Sequence, residues 1–155
     1  MNRTPMLLAC ILLGALGVSA VASAHTTAPD GHAARTVRVG LTHTSLGRIL
    51  VNSSGFTVYE FSRDPRNRDT CVKVSECSMT WPPLTTTAGP LAGPGVRASL
   101  LSTIRLPGGA RQVTYAGHPL YTYAPASERG ETFYVGAGQF GGTWYAVNAA
   151  GGRVR

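Results

Sequence analysis

Hydrophobic and polar residues alternate along this chain in short runs that are separated by turns containing glycine or proline. Alternation over about four to eight residues is typical of half-buried β-strands. It predicts strands over residues 37–44, 47–52, 56–62, 103–106, 110–115, 119–124 and 144–148. Residues 96–102 have room for one or two helical turns, and no long helix pattern follows residue 24. The pattern therefore predicts an all-β fold.

The predicted strands form two related series. Six residues align in pairs at an offset of 62, namely Gly55, Tyr59 and Phe61 with Gly117, Tyr121 and Tyr123. Thr80-Trp81 aligns with Thr143-Trp144 at an offset of 63. Such self-similarity predicts two repeats, about residues 37–87 and 99–150, with a linker or ordered loop over 88–98. Because neither repeat has enough residues to bury its aromatics alone, we expect one β-hairpin-rich domain over 37–150, a small sandwich or barrel-like structure.

The first 24 residues have the pattern of a secretory signal peptide. Arg3 precedes an apolar run over residues 6–22, and Ala22-Ser23-Ala24 offers the small side chains that signal peptidase accepts. Cleavage there leaves His25 first, followed by a flexible leader over 25–36. Two alternatives stay open: the run is retained as a membrane anchor, or Cys10 is lipidated. The protein is therefore predicted to be secreted or extracytoplasmic, and to associate with a membrane only if lipidated or anchored.

Cleavage would leave two cysteines, Cys71 and Cys77. A pair of cysteines in an exported chain favours a disulfide, here closing a short loop worth about 2 kcal/mol on the chain-entropy model. A metal site would need about four ligands, and no histidine lies beside these cysteines.

The strongest motif begins at Tyr59. Tyr59-x-Phe61-x-x-Asp64 is followed by the cysteines and by Trp81-Pro82-Pro83, and related elements recur around Gly117-His118-Pro119-Leu120-Tyr121 and Gly141-Gly142-x-Trp144. This combination resembles the bacterial secreted repeat proteins named for a Tyr-x4-Asp motif, many of which are predicted lipoproteins. The resemblance spans about residues 37–150 and implies export and a repeat architecture, in a family without an established activity. Ala126 stands where the second motif would have its aspartate, the cysteines are more widely spaced than in the family, and no clear lipobox is present.

The motif residues admit a structural and a functional interpretation. Tyr59 packs in the core and Asp64 caps the turn before Pro65, or Tyr59, Asp64 and Tyr121 form a polar cluster that grips a ligand or cation. The aromatic side chains either pack at strand spacing or form a platform for sugar rings, a set that includes Phe61, Trp81, Tyr121, Tyr123 and Trp144. The Trp81-Pro82-Pro83 step is expected to end a strand, since proline donates no ladder hydrogen bond.

His25 suggests a copper hypothesis. A free N-terminal histidine chelates copper through its amine and imidazole, and a second histidine such as His32, His43 or His118 would complete the site. The alternative is a solvated leader with no metal.

Composition and net charge limit the classes of binding partner that are expected. Charged residues make up 14% of the chain, hydrophobic residues 43%, and the net charge is +7. These values exclude charge-driven disorder, and the basic balance favours anionic partners, although nucleic acid is not expected for an exported protein. Glu128 and Glu131 are the main candidates for an acid pair in a small hydrolase. We expect a non-catalytic envelope or extracellular binding protein of unknown ligand, with a copper or redox accessory protein as the alternative.

Overall fold

The structure is a computed structural model that describes residues 35–155, and these residues form mainly short β-strands. The strands are β1 (Arg38–Thr44), β2 (Gly47–Val51), β3 (Tyr59–Phe61), β4 (Thr85–Thr86), β5 (Leu91–Ala92), β6 (Leu101–Arg105), β7 (Arg111–Tyr115), β8 (His118–Pro119), β9 (Gly138–Gln139), β10 (Gly142–Val147) and β11 (Arg153–Val154). One short helix, α1 (Ser75–Thr80), and two 3-10 turns, Cys71–Lys73 and Ala98–Leu100, complete the described part. The predicted all-β class is confirmed.

The strands assemble into three small sheets rather than a closed barrel within residues 35–155. Their orders are β2-β1-β5, β11-β10-β3 with β9 also on β10, and β4-β7-β6 with β8 also on β7. The two long hairpins, β1–β2 and β6–β7, are antiparallel and each joins strands adjacent in sequence. In the first, Gly47 has φ 89°, a conformation that glycine adopts without steric cost, and this closes the two-residue turn.

One sheet crosses between the two halves of the chain. In β3, Tyr59 and Phe61 pair with Ala146 and Trp144 of β10. On its other side, Tyr59 exchanges both backbone hydrogen bonds with Tyr121, at 2.9 Å each. The first half thus lies between two segments of the second. The predicted division into two repeats is a statement about sequence similarity and stays a prediction.

The buried apolar side chains form two clusters. The first is mainly aliphatic and draws on the two long hairpins and on the segments around them, with Val39, Leu50, Val113 and Leu120 all fully buried. The second is aromatic and contains Tyr59, Phe61, Trp81, Tyr121 and Trp144 with both cysteines. All three residues of β3 are buried, and Glu60, on the face opposite Tyr59 and Phe61, is paired there with Arg153.

One segment differs from the sequence-based expectation, and a second agrees with one of the two alternatives that the sequence left open. Trp81 does not end a strand: it follows α1, and its N–H donates to the Cys77 carbonyl at 2.7 Å. The helix has six residues, too few to leave a periodic signal. In the predicted linker, Leu91 and Gly93 donate to the carbonyls of Val37 and Val39, so β5 adds a parallel strand beside β1 and the segment is an ordered loop.

The signal peptide and residues 25–34 of the leader lie outside the described residues. Within residues 35–155, the helices are too short and too polar to cross a bilayer.

Gly142 provides a test of the contact between β3 and β10. A Cβ at this position would lie 2.5 Å from Phe61 Cε2 and 2.8 Å from Arg63 Cγ. We expect Gly142→Ala to destabilise the protein by about 1–3 kcal/mol, because the ring is fixed in the aromatic cluster. Gly138→Ala, in the adjoining strand β9 where a Cβ meets no atom within 4 Å, is the control. Urea unfolding measures both, and equal stabilities would contradict this packing.

Candidate functional site

A column of stacked aromatic rings occupies the centre of the second cluster. Trp81 and Trp144 stack with centroids 4.0 Å apart at 6°, and Phe61 stacks on Trp144 at 4.3 Å and 13°. Both tryptophans are fully buried. Edge-on contacts from Tyr59 to Trp81 and from Tyr121 to Trp144, both at 5.1 Å, close the sides of the column. These five rings therefore pack as core and present no platform to a sugar.

The predicted cysteine pair is bonded beside this column. Cys71 and Cys77 form a disulfide with their Cα atoms 5.4 Å apart, and both residues are buried. The Cys71 sulfur lies 3.9 Å from the Trp81 carbonyl oxygen. The bridge thus holds the loop after the motif aspartate against the aromatic column.

The motif aspartate bonds the tyrosine of the other half. The Tyr121 hydroxyl donates to Asp64 Oδ2 at 2.5 Å, while Asp64 Oδ1 accepts from the Thr70 N–H at 2.8 Å and the Thr70 hydroxyl at 2.7 Å. Burial raises the pKa of Asp64, and the nearby Asp69 adds to this effect. Burial, together with Asp64 and Asp69, raises the pKa of Tyr121, so this hydroxyl remains a donor. Asp64 accordingly does more than cap its turn.

Tyr59 differs from Tyr121 in its hydrogen bonding. Its hydroxyl is buried and has no hydrogen-bond partner among residues 35–155. Burial is the main cause of a raised pKa for the Tyr59 hydroxyl, and the charge of Glu131 raises it further. The expected cluster of Tyr59, Asp64 and Tyr121 is thus only partly formed, because Asp64 pairs with Tyr121 and the Tyr59 side chain is left without a partner.

The histidines are not brought together in the described residues. His25 and His32 lie outside them. His118 has Nδ1 3.8 Å from Glu60 Oε2, and the Oε1 of the same buried glutamate is bonded by Arg153. Within residues 35–155, no three side chains of the metal-binding types lie close enough to hold an ion. Because the copper hypothesis requires His25, it stays a prediction.

The two candidate acids of a hydrolase lie in one loop. Glu131 is buried, and its Oε2 accepts from the backbone N–H of Glu128 at 3.4 Å. Glu131 also binds through its carbonyl, which accepts from the Thr57 hydroxyl at 2.7 Å. This backbone contact fastens the loop to the segment before β3, while the carboxyl Oε1 of Glu131 is buried with no hydrogen-bond partner among residues 35–155.

A polar groove runs between the residues preceding β1, the turn after β2, and the segments that follow α1 and β8. It consists of two adjoining clefts of about 360 Å³ and about 180 Å³, which share Asn52 and Thr122. The larger cleft is lined mainly by polar side chains, including Arg35, Thr36, Asn52, Ser54, Thr85 and Thr122. The smaller cleft adds Phe56, Tyr123, Ala124 and Ala126. Among the sequence-predicted site residues that fall within 35–155, only Tyr123 lines the groove.

Tyr123 connects the groove with the aromatic column. Its ring lies 4.7 Å from that of Trp81 and 3.7 Å from that of Tyr134. Burial raises the pKa of Tyr123, and its contact with Tyr134 adds to this effect. A ligand in the smaller cleft would therefore touch a residue that contacts a buried tryptophan.

Sequence reasoning missed the groove residues Asn52, Thr85 and Thr122. Isolated threonines and an asparagine before a turn are common in β-proteins, and nothing in their spacing shows that they converge. The one usable signal is Ala126, where the repeat loses its aspartate and the smaller cleft is lined by a methyl group.

The fold and the site define a small, disulfide-bonded β-protein with a polar groove. Residues 102–148 match a family model described as a secreted repeat of unknown function. This match confirms the resemblance over the second of the two predicted repeats and supports the predicted extracytoplasmic location, while the motif at Tyr59 lies outside the matched residues. No curated protein and no solved structure shows significant similarity to the chain.

The two motif tyrosines provide a matched pair of variants. Tyr121→Phe leaves the buried Asp64 without its donor, so we expect a loss of about 1–3 kcal/mol in the free energy of unfolding. Tyr59→Phe removes a hydroxyl that has no partner, and we expect no loss or a small gain. Chemical denaturation of both variants measures the difference. Equal effects would contradict the assignment of Asp64 to Tyr121.

The raised pKa of Asp64 predicts a pH dependence with a defined sign. Folded Asp64 binds its proton more tightly than the unfolded residue, so its contribution to stability is greatest below the ordinary pKa of 3.8 and is lost as pH rises through the folded pKa. Relative to Asp64→Asn, the wild-type protein is expected to lose stability as pH rises above about 4.

Glu76 supplies a control of opposite sign. Hydrogen bonds from its own N–H and from Ser75 lower the pKa of Glu76. The wild-type protein should therefore become more stable relative to Glu76→Gln as pH rises. Thermal unfolding of the wild-type protein and both variants at a series of pH values measures these two stability differences. A wild-type advantage over Asp64→Asn that increases with pH would contradict the burial of this carboxyl.

Proposed function

We propose that this protein is an exported, non-catalytic binding protein of the cell envelope or extracellular space, and that its ligand lies in the groove around Asn52 and Thr122. The observation that carries the proposal is the set of unused hydrogen-bonding groups on the groove wall. The ligand is extracellular or envelope material rich in hydrogen-bond acceptors.

The groove residues divide into those that hold the fold and those that are available. Asn52 Oδ1 accepts from the N–H groups of Ser54 and Phe56 at 2.9 and 3.0 Å, which fixes the side chain and leaves its amide Nδ2 to donate elsewhere. The hydroxyls of Thr85 and Thr122 have no hydrogen-bond partner within residues 35–155, and neither does the Arg35 guanidinium. A fixed amide beside several hydroxyls matches the polar groups that orient ligands in concave sites.

The non-catalytic assignment rests on where the reactive side chains are. Asp64 and Tyr121 satisfy each other in the core, and Glu131 is buried and fastens a loop. The clefts themselves are lined by hydroxyl, amide, apolar and one cationic side chain. Such a lining supports recognition through hydrogen bonds, and it offers no nucleophile paired with a base.

Removal of the groove hydroxyls tests this function. Thr85→Val with Thr122→Val keeps side-chain shape and removes two hydroxyls, so we expect affinity to fall about tenfold or more. The measurement is tryptophan fluorescence, which reports through Tyr123 and Trp81, during titration with a panel of envelope polysaccharides and oligosaccharides.

Thr103→Val, in β6 and outside the groove, is the matched control and should bind as the wild type does. If every panel member that binds the wild-type protein binds the double variant equally, the ligand site is elsewhere. If no panel member binds, the binding role itself is refuted for these polymers.

A further inference from the structure

The charged side chains are divided unevenly between the core and the surface. Of the 14 arginine and lysine residues, all except Arg3 lie within residues 35–155, and all thirteen of these are exposed. Of the 7 acidic residues, all except Asp30 lie there too, but four of those six are buried and only Glu76 and Glu128 are exposed. The surface of the described part is therefore more strongly basic than the net charge of +7 indicates.

Most of these cations have no acidic partner. Within residues 35–155 both ion pairs belong to one carboxylate, that of the buried Glu60. Arg153 donates to its Oε1, and His118 Nδ1 lies 3.8 Å from its Oε2. The other exposed cations are not neutralised by a neighbouring acid of the described residues, so they are available to attract an anion.

Three arginines lie around Glu60, and we call Arg66, Arg153 and Arg155 the arginine face. The guanidinium carbons of Arg153 and Arg155 lie 5.0 and 5.5 Å from the centre of the Tyr145 ring. Tyr145 is paired with Glu60 across β10 and β3. Because an aromatic ring attracts a guanidinium group over its face, one tyrosine holds two cations beside a single buried acid.

Arg66 is positioned by a glycine. Its guanidinium group lies so close to Gly117 that a Cβ there would be 2.7 Å from Nη2 and 2.8 Å from Cζ. The Gly117 carbonyl accepts from the Asn67 N–H at 2.7 Å, which fixes the loop bearing Arg66 against the turn before β8. Arg66 thus lies against the residue that precedes His118, the histidine that faces Glu60.

The arginine face keeps its donor groups available. Arg153 reaches Glu60 through Nε, and its two terminal amino groups make no hydrogen bond within residues 35–155. The guanidinium groups of Arg66 and Arg155 make none there either. The terminal amino groups of arginine form the planar fork that binds an oxyanion through two parallel hydrogen bonds.

We infer that the arginine face binds a linear polyanion of the envelope or extracellular space, a polymer that repeats sulfate or phosphate groups along its chain. This inference goes beyond the proposed function, since the face shares no residue with the groove. Guanidinium groups match oxyanions in geometry as well as in charge. Several arginines held in place can therefore engage several groups of one polymer at once.

The side chains around this face favour a polymer over an anionic membrane. Proteins that lie on a bilayer insert apolar side chains between the headgroups in addition to binding them with cations. Among residues 35–155, the exposed large hydrophobic side chains are Val74, Met79, Leu91 and Phe133, and none of them belongs to β3, β8, β10 or β11. The strands that carry the face thus offer no apolar anchor.

The experiment measures binding of the labelled protein to dextran sulfate, inorganic polyphosphate and unmodified dextran. We expect both polyanions to bind and dextran not to bind, with affinity that falls as salt rises from about 50 to about 200 mM. Arg66→Gln with Arg155→Gln should weaken both polyanions about tenfold or more at the lowest salt and reduce the salt slope by about one for each arginine removed. The variant keeps the buried pair of Glu60 with Arg153.

Arg105→Gln with Arg111→Gln is the matched control. These exposed arginines lie directly opposite each other on β6 and β7, at the end of β7 away from its pairing with β8. The control loses the same charge away from the face and should keep affinity within about threefold, because salt screens distant charges. Thr85→Val with Thr122→Val, which alters the groove, should bind both polyanions as the wild type does.

The inference is overturned if dextran binds as tightly as dextran sulfate, or if either polyanion fails to bind at the lowest salt. Equal weakening by the two arginine pairs would show that only the overall charge matters and would refute this face. Weakening by the groove variant would place the polyanion in the groove. Tighter binding to vesicles of phosphatidylglycerol than to either polyanion would assign the face to a lipid surface and refute a polymer.

Discussion

The pairing of Tyr59 with Tyr121 is the constraint on which the rest of the described structure depends. Two backbone hydrogen bonds fix the two halves against each other at this point. Phe61, two residues along β3, consequently lies on the same face and stacks on Trp144. Trp81 completes the column from the other side. Because both stacked neighbours of Trp144, Phe61 and Trp81, come from the other half, the stacked column forms only when both halves are present.

The loop between Asp64 and Trp81 shows how a polar residue is tolerated in this core. The Asp64 carboxyl accepts from the Tyr121 hydroxyl and from both donors of Thr70, so its buried oxygens are satisfied. The Cys71–Cys77 bridge then restrains the chain between this carboxyl and the stacked Trp81. The polar motif and the disulfide therefore serve one purpose, which is to return the loop to the aromatic column.

The two halves use the motif differently. In the first half the motif is complete, and its Asp64 carboxyl accepts from the Tyr121 hydroxyl of the second half. The hydroxyl of Tyr59 is buried and has no hydrogen-bond partner among residues 35–155. Ala126 stands where the second half would have the matching aspartate, and it lines the smaller cleft.

The sequence by itself determined the all-β class, most strand positions, the disulfide and the equivalence of Tyr59 with Tyr121, because strand alternation, turn residues and repeat spacing act over short distances along the chain. It also located Ala126 as the break in the motif. Only the tertiary structure decided which tyrosine Asp64 bonds, that Trp81 follows a helix and stacks on Trp144, and that Asn52 and Thr122 line one groove. The physical reason is that the Asp64 bond, the tryptophan stack and the groove each join residues 57 to 70 positions apart, whose meeting is fixed by sheet pairing and core packing and leaves no local pattern in the sequence. The helix before Trp81 is local, but its six residues are too few to show a period.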